Sequence, residues 1–370
     1  MNILILFSQP WKVGGAETHV EAMLAGLQPH TVYLAVNKGS NKERLNIIKE
    51  QYPKIKVVEI QARGLNIFRW LYDVYRLSCL IKAAHIDIIS AQQRTSGIWA
   101  WLLQMVTKIP FVVTMHDSWH RALFKKSYSK IFHKIVVVGT HLEKVLLEQF
   151  GFRKQQIALV NNGIDINQFV PQDKLCAREN LGIQANAKVV LHVSRLSSIK
   201  GAVALAIIGS LPIVLEKISN IKLIIIGEGP LRDELEKKAQ EMNRKYGSII
   251  EVRDFTNNIQ AWYNAADMII GEGRVAIESL ACERPVVAIR NNNKFFGIVT
   301  QDNVAEAIRV NFDGNTYPVN ETNLANEIIK SSSITIDECK QTAKFIRNHM
   351  GIDSMVAKYL EIFETVLLRR

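Results

Sequence analysis

Val189-Val190-Leu191-His192-Val193-Ser194-Arg195-Leu196-Ser197-Ser198-Ile199-Lys200-Gly201 decides the fold. Its first five residues form an apolar run of strand length, and Val203-Ala204-Leu205-Ala206-Ile207-Ile208 continues as a helix. A strand that feeds a helix through a short loop is the repeating unit of a parallel sheet covered on both faces. Arg195 and Lys200 therefore lie at the carboxyl edge of such a sheet, where doubly wound folds bind ligands. An Arg fork and a Lys point charge beside a helix N-terminus can hold a diphosphate.

The same logic returns about 80 residues later. Ala266-Asp267-Met268-Ile269-Ile270 reads as a short strand, Gly271 and Gly273 flank Glu272, and a helix carrying Arg274 and Glu278 follows. Pro285-Val286-Val287-Ala288-Ile289 is the next buried strand. A carboxylate on the first turn of that helix, the place expected for Glu278, can accept two ribose hydroxyls. A diphosphate clamp and a ribose acceptor in one sheet suggest a nucleotide-sugar site.

Working outward, strands are expected at Asn2–Phe7, Thr31–Val36, Lys56–Ile60, Ile86–Ser90, Pro110–Met115 and Lys134–Val138, with helices between them. Gly14-Gly15 lies where the first strand hands over to the helix Ala16–Leu27, and either makes a tight turn or lets backbone N–H groups approach a phosphate or sugar. His116 closes a strand at the same edge, as a structural histidine or a ligand contact. Arg121–Lys134 is expected as a basic helix with Phe124, Tyr128, Ile131 and Phe132 on one stripe. Such a helix either packs on the sheet or lies at an anionic membrane surface. Asn167–Asp173, with Pro171, is the expected linker; Gly227-Glu228-Gly229-Pro230 opens a helix in the second half.

At 370 residues the chain fits two doubly wound units. The net charge of +11 is uneven: basic residues outnumber acidic ones nearly two to one over residues 1–175 and balance them afterwards. Cys79, Cys176, Cys282 and Cys339 have no metal-ligand or CxxC spacing and are expected as reduced thiols. The first residues lack the basic n-region of a secretory signal, and no apolar stretch reaches the about 18–20 residues of a membrane span. These features predict a cytoplasmic protein, at most peripheral on the inner face of the plasma membrane.

In order and spacing the chain resembles a family-4 glycosyltransferase of the GT-B fold, two Rossmann-like doubly wound parallel-sheet domains facing across a cleft. The residues that carry the resemblance are Gly14-Gly15-Ala16-Glu17, His116, Asn162-Gly163-Ile164-Asp165, Ser194-Arg195-Leu196 with Lys200-Gly201, Gly227-Glu228-Gly229-Pro230, and Glu278-Ser279-Leu280-Ala281 before Pro285-Val286-Val287. It implies a basic N-terminal domain over 1–170 on the acceptor side, a donor-side domain over 171–350, and a C-terminal helix over 351–370 that can pack back on the first. It also implies that Arg195 and Lys200 neutralise the leaving diphosphate, that Glu278 holds the ribose, and that Gly15 lies near the diphosphate. His116 would contact the donor sugar, transfer would retain anomeric configuration, and the site would need no metal or other cofactor. The family usually has two glutamates eight positions apart, but Ile270 stands eight before Glu278 and Glu272 six before. Either Glu272 and Arg274 touch the sugar in another geometry, or the grip on the sugar differs or is absent.

The expected function is sugar transfer from a nucleotide-diphosphate sugar to a lipid-linked or saccharide acceptor in cell-surface polysaccharide or glycolipid synthesis. The altered glutamate pair leaves room for a catalytically silent nucleotide-sugar-binding regulator or scaffold. A nucleotide-sugar epimerase on the same fold would use Glu272 and His116 as acid and base. A dinucleotide-dependent oxidoreductase is disfavoured, because no GxGxxG follows the first strand. The basic surplus comes with no nucleic-acid-binding motif.

Overall fold

The structure is a computed structural model and describes residues 1–12, 14–61, 67–119, 122–291 and 293–368, with the backbone alone at 67. The chain forms two compact units, Met1–Gly163 with Ile352–Arg370, and Ile164–Gly351.

In the first unit, the strands are β1 (Asn2–Phe7), β2 (Thr31–Asn37), β3 (Lys56–Ile60), β4 (Ile88–Gln92), β5 (Phe111–Met115), β6 (Ile135–Val137) and β7 (Ile157–Leu159). They pair in parallel in the order β3-β2-β1-β4-β5-β6-β7. The unbroken apolar run of β1 suits a strand buried on both faces, and Ile3 to Phe7 are all but inaccessible. Side chains alternate between two cores. Ile3, Ile5 and Phe7 meet Val20 and Met23 of the helix Gly15–Gly26 and Tyr359 and Phe363 of the helix Ile352–Leu367. Leu4 and Leu6 face Leu77, Trp99 and Phe132 on the other side. Gly26 lets the first and last helices touch, since a Cβ there would lie 2.5 Å from Val356.

The second unit carries β8 (Lys188–Val193), β9 (Ile221–Ile226), β10 (Ile250–Arg253), β11 (Met268–Gly271), β12 (Val286–Ala288), β13 (Lys294–Phe295), β14 (Gly297–Val299) and β15 (Tyr317–Pro318). Its main sheet runs β10-β9-β8-β11-β12-β14, parallel except for β14, which lies antiparallel to β12; β13 and β15 form a separate pair. The stretch read as a linker is packed into this unit: Phe169 is buried in its core, and the Gln172 N–H donates to Asn264 Oδ1 at 2.8 Å.

The expected basic helix over Arg121–Lys134 is not continuous. His120 and Arg121 lie outside the described residues. Beyond them Phe124 has φ +51, Lys125–Ser127 makes a 3-10 turn, and Tyr128–Ile131 makes a single helical turn. A bulky residue in the left-handed region interrupts helical hydrogen bonding. Tyr128 packs on Trp119 and Phe150 while Phe132 is fully buried, so most of the aromatic stripe faces inward. All four cysteines are free thiols. Among the described residues no helix is long and apolar enough to cross a membrane.

In both sheets the strand order reverses beside the first strand, between β1 and β4 and between β8 and β11. Ligand sites of doubly wound folds open at such switch points, outside the carboxyl ends of the strands.

Candidate nucleotide-sugar site

The loop after β8 is held from below by the loop after β9. Gly227 and Gly229 adopt φ of +156 and +152, and a Cβ would sit 1.9 Å from the Ser194 carbonyl oxygen at the first and 2.5 Å from that of Leu196 at the second. Only glycine permits this approach. The Leu196 N–H donates to the Glu228 carbonyl at 2.8 Å, and the Leu231 N–H donates to the Leu196 carbonyl at 3.1 Å. Gly229, expected in donor binding, thus shapes the loop that presents Arg195. Leu196 points into the core and Arg195 outward, exposed and with no ion-pair partner among the described residues.

Lys200 opens the helix Lys200–Leu215, and its Nζ pairs with Glu272 Oε1. Glu272 precedes the helix Gly273–Ala281 after β11, so both sides of the switch point meet through this ion pair. Its second oxygen, Oε2, lies 3.3 Å from Arg290 Nε, on the loop after β12. Arg290 also lies 3.9 Å from Asp313, whose carboxyl is pushed up by burial, pulled down by Arg290 and pushed up by Glu272. The sequence reading missed Arg290 and Asp313.

Arg274 and Glu278 are brought together as an i, i+4 pair on the helix that Glu272 caps. Glu278 stands on the second turn of its helix rather than the first; Arg274 donates to Oε1 from Nη2 at 2.9 Å, and the Tyr263 hydroxyl donates to Oε2 at 3.1 Å. Burial pushes the Glu278 carboxyl up, and Arg274 and Tyr263 oppose it. The Tyr263 phenol is pushed well above its ordinary value by burial and by Glu278. His192 ties β8 to β11: Nδ1 donates to the Ile270 carbonyl at 2.8 Å, leaving Nε2 to accept from Ser194 Oγ at 2.9 Å. Burial lowers its pKa to about 4; the Ile270 bond opposes this and the Lys200 charge reinforces it.

At the carboxyl edge of the first unit, the groups around His116 are polar and hydrogen-bonded rather than ion-paired. His116 Nε2 meets Gln92 Oε1 at 2.9 Å, and its ring lies edge-on to that of His19, 4.7 Å away. Burial and the neighbouring His19 hold His116 well below 6.5, hence neutral at pH 7. His19 also meets Asn162 Oδ1 at 2.9 Å and the Tyr359 hydroxyl at 3.0 Å, which in turn meets Thr114 at 3.0 Å. Gly14 caps the helix Gly15–Gly26, and Gly15 is exposed with open space where a Cβ would be. The buried Glu17 carboxylate lies against Gly14, so this helix end already holds a negative charge. That arrangement suits a sugar hydroxyl better than a phosphate.

Two Rossmann-like units, the second with cations gathered at its switch point, define the GT-B class of protein. The chain belongs to the family-4 glycosyltransferases: the Glycosyltransferase Family 4 profile matches residues 13–168 and the Glycosyl transferases group 1 profile residues 187–330. A D-inositol 3-phosphate glycosyltransferase of Thermobispora bispora is 25% identical over 59% of the chain, which spans 58% of that relative's length. An alpha-monoglucosyldiacylglycerol synthase of Streptococcus pneumoniae is 24% identical over 77% of this chain and 72% of its own. Among solved structures, Anabaena HepE in complex with UDP superposes with a TM-score of 0.75 at 19% identity, covering 99% of this chain and all of that one.

Proposed function

We propose that the chain transfers a sugar from a nucleotide-diphosphate sugar to an acceptor hydroxyl in the synthesis of a cell-surface polysaccharide or glycolipid. The observation that carries this reading is the cation set Arg195, Lys200 and Arg290 around the β8/β11 switch point. In the reaction, the bond from the anomeric carbon to the diphosphate oxygen breaks, that oxygen keeps the electron pair, the acceptor oxygen bonds the carbon, and the acceptor's hydroxyl proton passes to the departing diphosphate oxygen. Arg195 and Lys200 stabilise the charge that accumulates on the diphosphate, a task metal ions perform elsewhere. Charge neutralised in this way calls for no divalent cation, and the family resemblance implies retention of configuration.

Glu278, steadied by Arg274 and Tyr263, keeps lone pairs for the ribose hydroxyls. His116, held neutral by burial, and Gly15 contact the sugar. A lipid-linked or saccharide acceptor, presented at the inner face of the plasma membrane, fits the glycolipid synthase among the relatives and the basic first half of the chain.

Thermal unfolding against UDP-, GDP- and ADP-sugars tests the donor half of the proposal. A nucleotide at about 100 times its dissociation constant adds roughly 2.7 kcal/mol, a clear rise in midpoint. The rise is expected with one nucleotide class, UDP first, and is expected to shrink in Lys200→Ala. Wild-type protein that responds to no nucleotide would end this reading. Product analysis with the selected donor and no added acceptor then separates transfer from epimerisation, and EDTA in the transfer assay tests the need for a metal.

A further inference from the structure

We infer that the first unit docks on an anionic lipid bilayer through the outer face of the helix Ile67–Ala83. Phe68, Leu71, Tyr72 and Tyr75 follow the i, i+3, i+4, i+7 spacing of one helical stripe, and all four are exposed, Phe68 at 81%. The opposite stripe, with Val74, Leu77 and Ile81, already packs on the sheet, so this helix is apolar on both sides. An exposed aromatic stripe of this kind marks a surface that meets a partner or a membrane. Leu123 and Phe124, the latter 83% exposed, directly follow Ala122, which belongs to the same core layer as Leu77 and Ile81. On the other side, Ile47 is the only large apolar residue exposed on its helix, Lys42–Gln51.

The charge around this surface selects the occupant. The one acid of the helix, Asp73, is buried and paired with Arg76 at 3.2 Å, while Arg69 and Lys82 are exposed. The neighbouring helix Arg94–Thr107 has no acid, and Lys126 and Lys130 follow Phe124. Aromatic residues interleaved with cations suit the headgroup boundary, where rings enter the acyl edge and cations meet anionic lipid. A second copy docked symmetrically would bring these same cations against one another. Phe68 and Leu71, at the start of the helix that follows β3, and Phe124, in the loop that follows β5, also lie at the carboxyl edge shared with Gly15 and His116. A lipid-held acceptor would thus reach the unit at its ligand edge.

Bilayer binding needs neither donor nor turnover, so it is tested separately from sugar transfer. The whole chain is sedimented with vesicles of phosphatidylcholine, and with vesicles of phosphatidylcholine mixed with phosphatidylglycerol. Wild type is expected to partition onto the mixed vesicles, less so as salt rises. The F68S/Y72S/Y75S triple variant is expected to bind about tenfold more weakly or worse, and R69E/K82E to lose the preference for anionic lipid. I47S is expected to bind as wild type does, and all variants to keep cooperative unfolding and their nucleotide response. Wild type remaining in the supernatant, or a triple variant and an R69E/K82E variant that bind undiminished, would overturn the inference. So would a wild-type dimer in ultracentrifugation that the triple variant splits, since the face then belongs to a second copy.

Discussion

The two carboxyl edges share one topology and differ in the groups at their switch points: ion pairs at one, hydrogen-bonded imidazoles at the other. At the β8/β11 edge, Lys200, Glu272, Arg290 and Asp313 form a chain of alternating charge, and Arg274 with Glu278 forms another pair beside it. At the β1/β4 edge, His116 bonds Gln92 while His19 bonds Tyr359, which bonds Thr114; the two groups meet through the edge-on imidazoles, and His116 is held neutral by burial. A sheet edge is thus a neutral frame, and the residues on a few loops decide what charge it meets. The charged edge suits a leaving diphosphate; the neutral edge suits sugar hydroxyls, which need oriented donors and acceptors rather than counter-charge.

The comparison breaks most sharply at Lys200. Lys200→Ala should lower transfer by about 10²–10³-fold, the usual loss when one stabiliser of developing charge is removed. His116→Ala should cost less in turnover and more in donor specificity. Steady-state rates with the donor selected by thermal unfolding check both. Equal losses in the two variants would mean that the contrast between the edges has no catalytic meaning.

Acid sharpens the contrast next. His192 has a folded-state pKa near 4 against 6.5 unfolded, so above pH 6.5 both states are neutral and the residue has no effect on stability. As pH falls from 6.5 toward 4 the unfolded chain takes up the proton and the folded one does not. Stability should drop by about 3 kcal/mol across that window and then level off. His192→Gln should flatten this part of a urea-denaturation profile taken against pH. A slope that survives unchanged would assign the acid sensitivity to other groups, His116 first, since its value is lowered in the same direction.

The contrast was only half legible in the sequence. Apolar runs such as Ile3–Phe7 and Val189–Val193 fixed the strands, and their alternation with helices fixed the parallel sheets, because burial on both faces leaves an unbroken hydrophobic signature. Arg195 and Lys200 were readable because both lie in one strand-to-helix loop. Arg290 was not, because the loop after the three-residue strand β12 reads as polar filler until β11 and β12 are seen side by side. His19 and Tyr359 meet across 340 positions, and no local pattern carries that distance. The stretch from Phe124 to Phe132 misled for the opposite reason. Its helical spacing was real, but Trp119 and Phe150 supply a pocket that draws the rings inward and breaks the helix at Phe124.

Smaller effects probe how tightly each edge is set. Tyr359→Phe removes a hydroxyl shared by His19 and Thr114, both in the buried core of the first unit, and should destabilise the protein by about 1–3 kcal/mol. A change near zero in calorimetry would mean that the two partners find each other without it.

The finest test falls on Glu272. Its carboxylate pairs with Lys200 and Arg290, the cations a diphosphate would need, so ligand and carboxylate compete for the same charges. Lys200 is 40% exposed, which keeps the pair in the modest range of solvent-screened contacts, about 0.2–1 kcal/mol. Glu272→Gln should therefore tighten binding of free UDP by only roughly two- to fivefold, measured by calorimetric titration. If Glu272 also grips the donor sugar, the same variant should bind UDP-sugar no better than wild type, because the gain at the diphosphate is offset by a weaker contact to the sugar hydroxyls. Equal tightening for UDP and UDP-sugar would reduce Glu272 to a counter-ion and leave the sugar to the neutral edge.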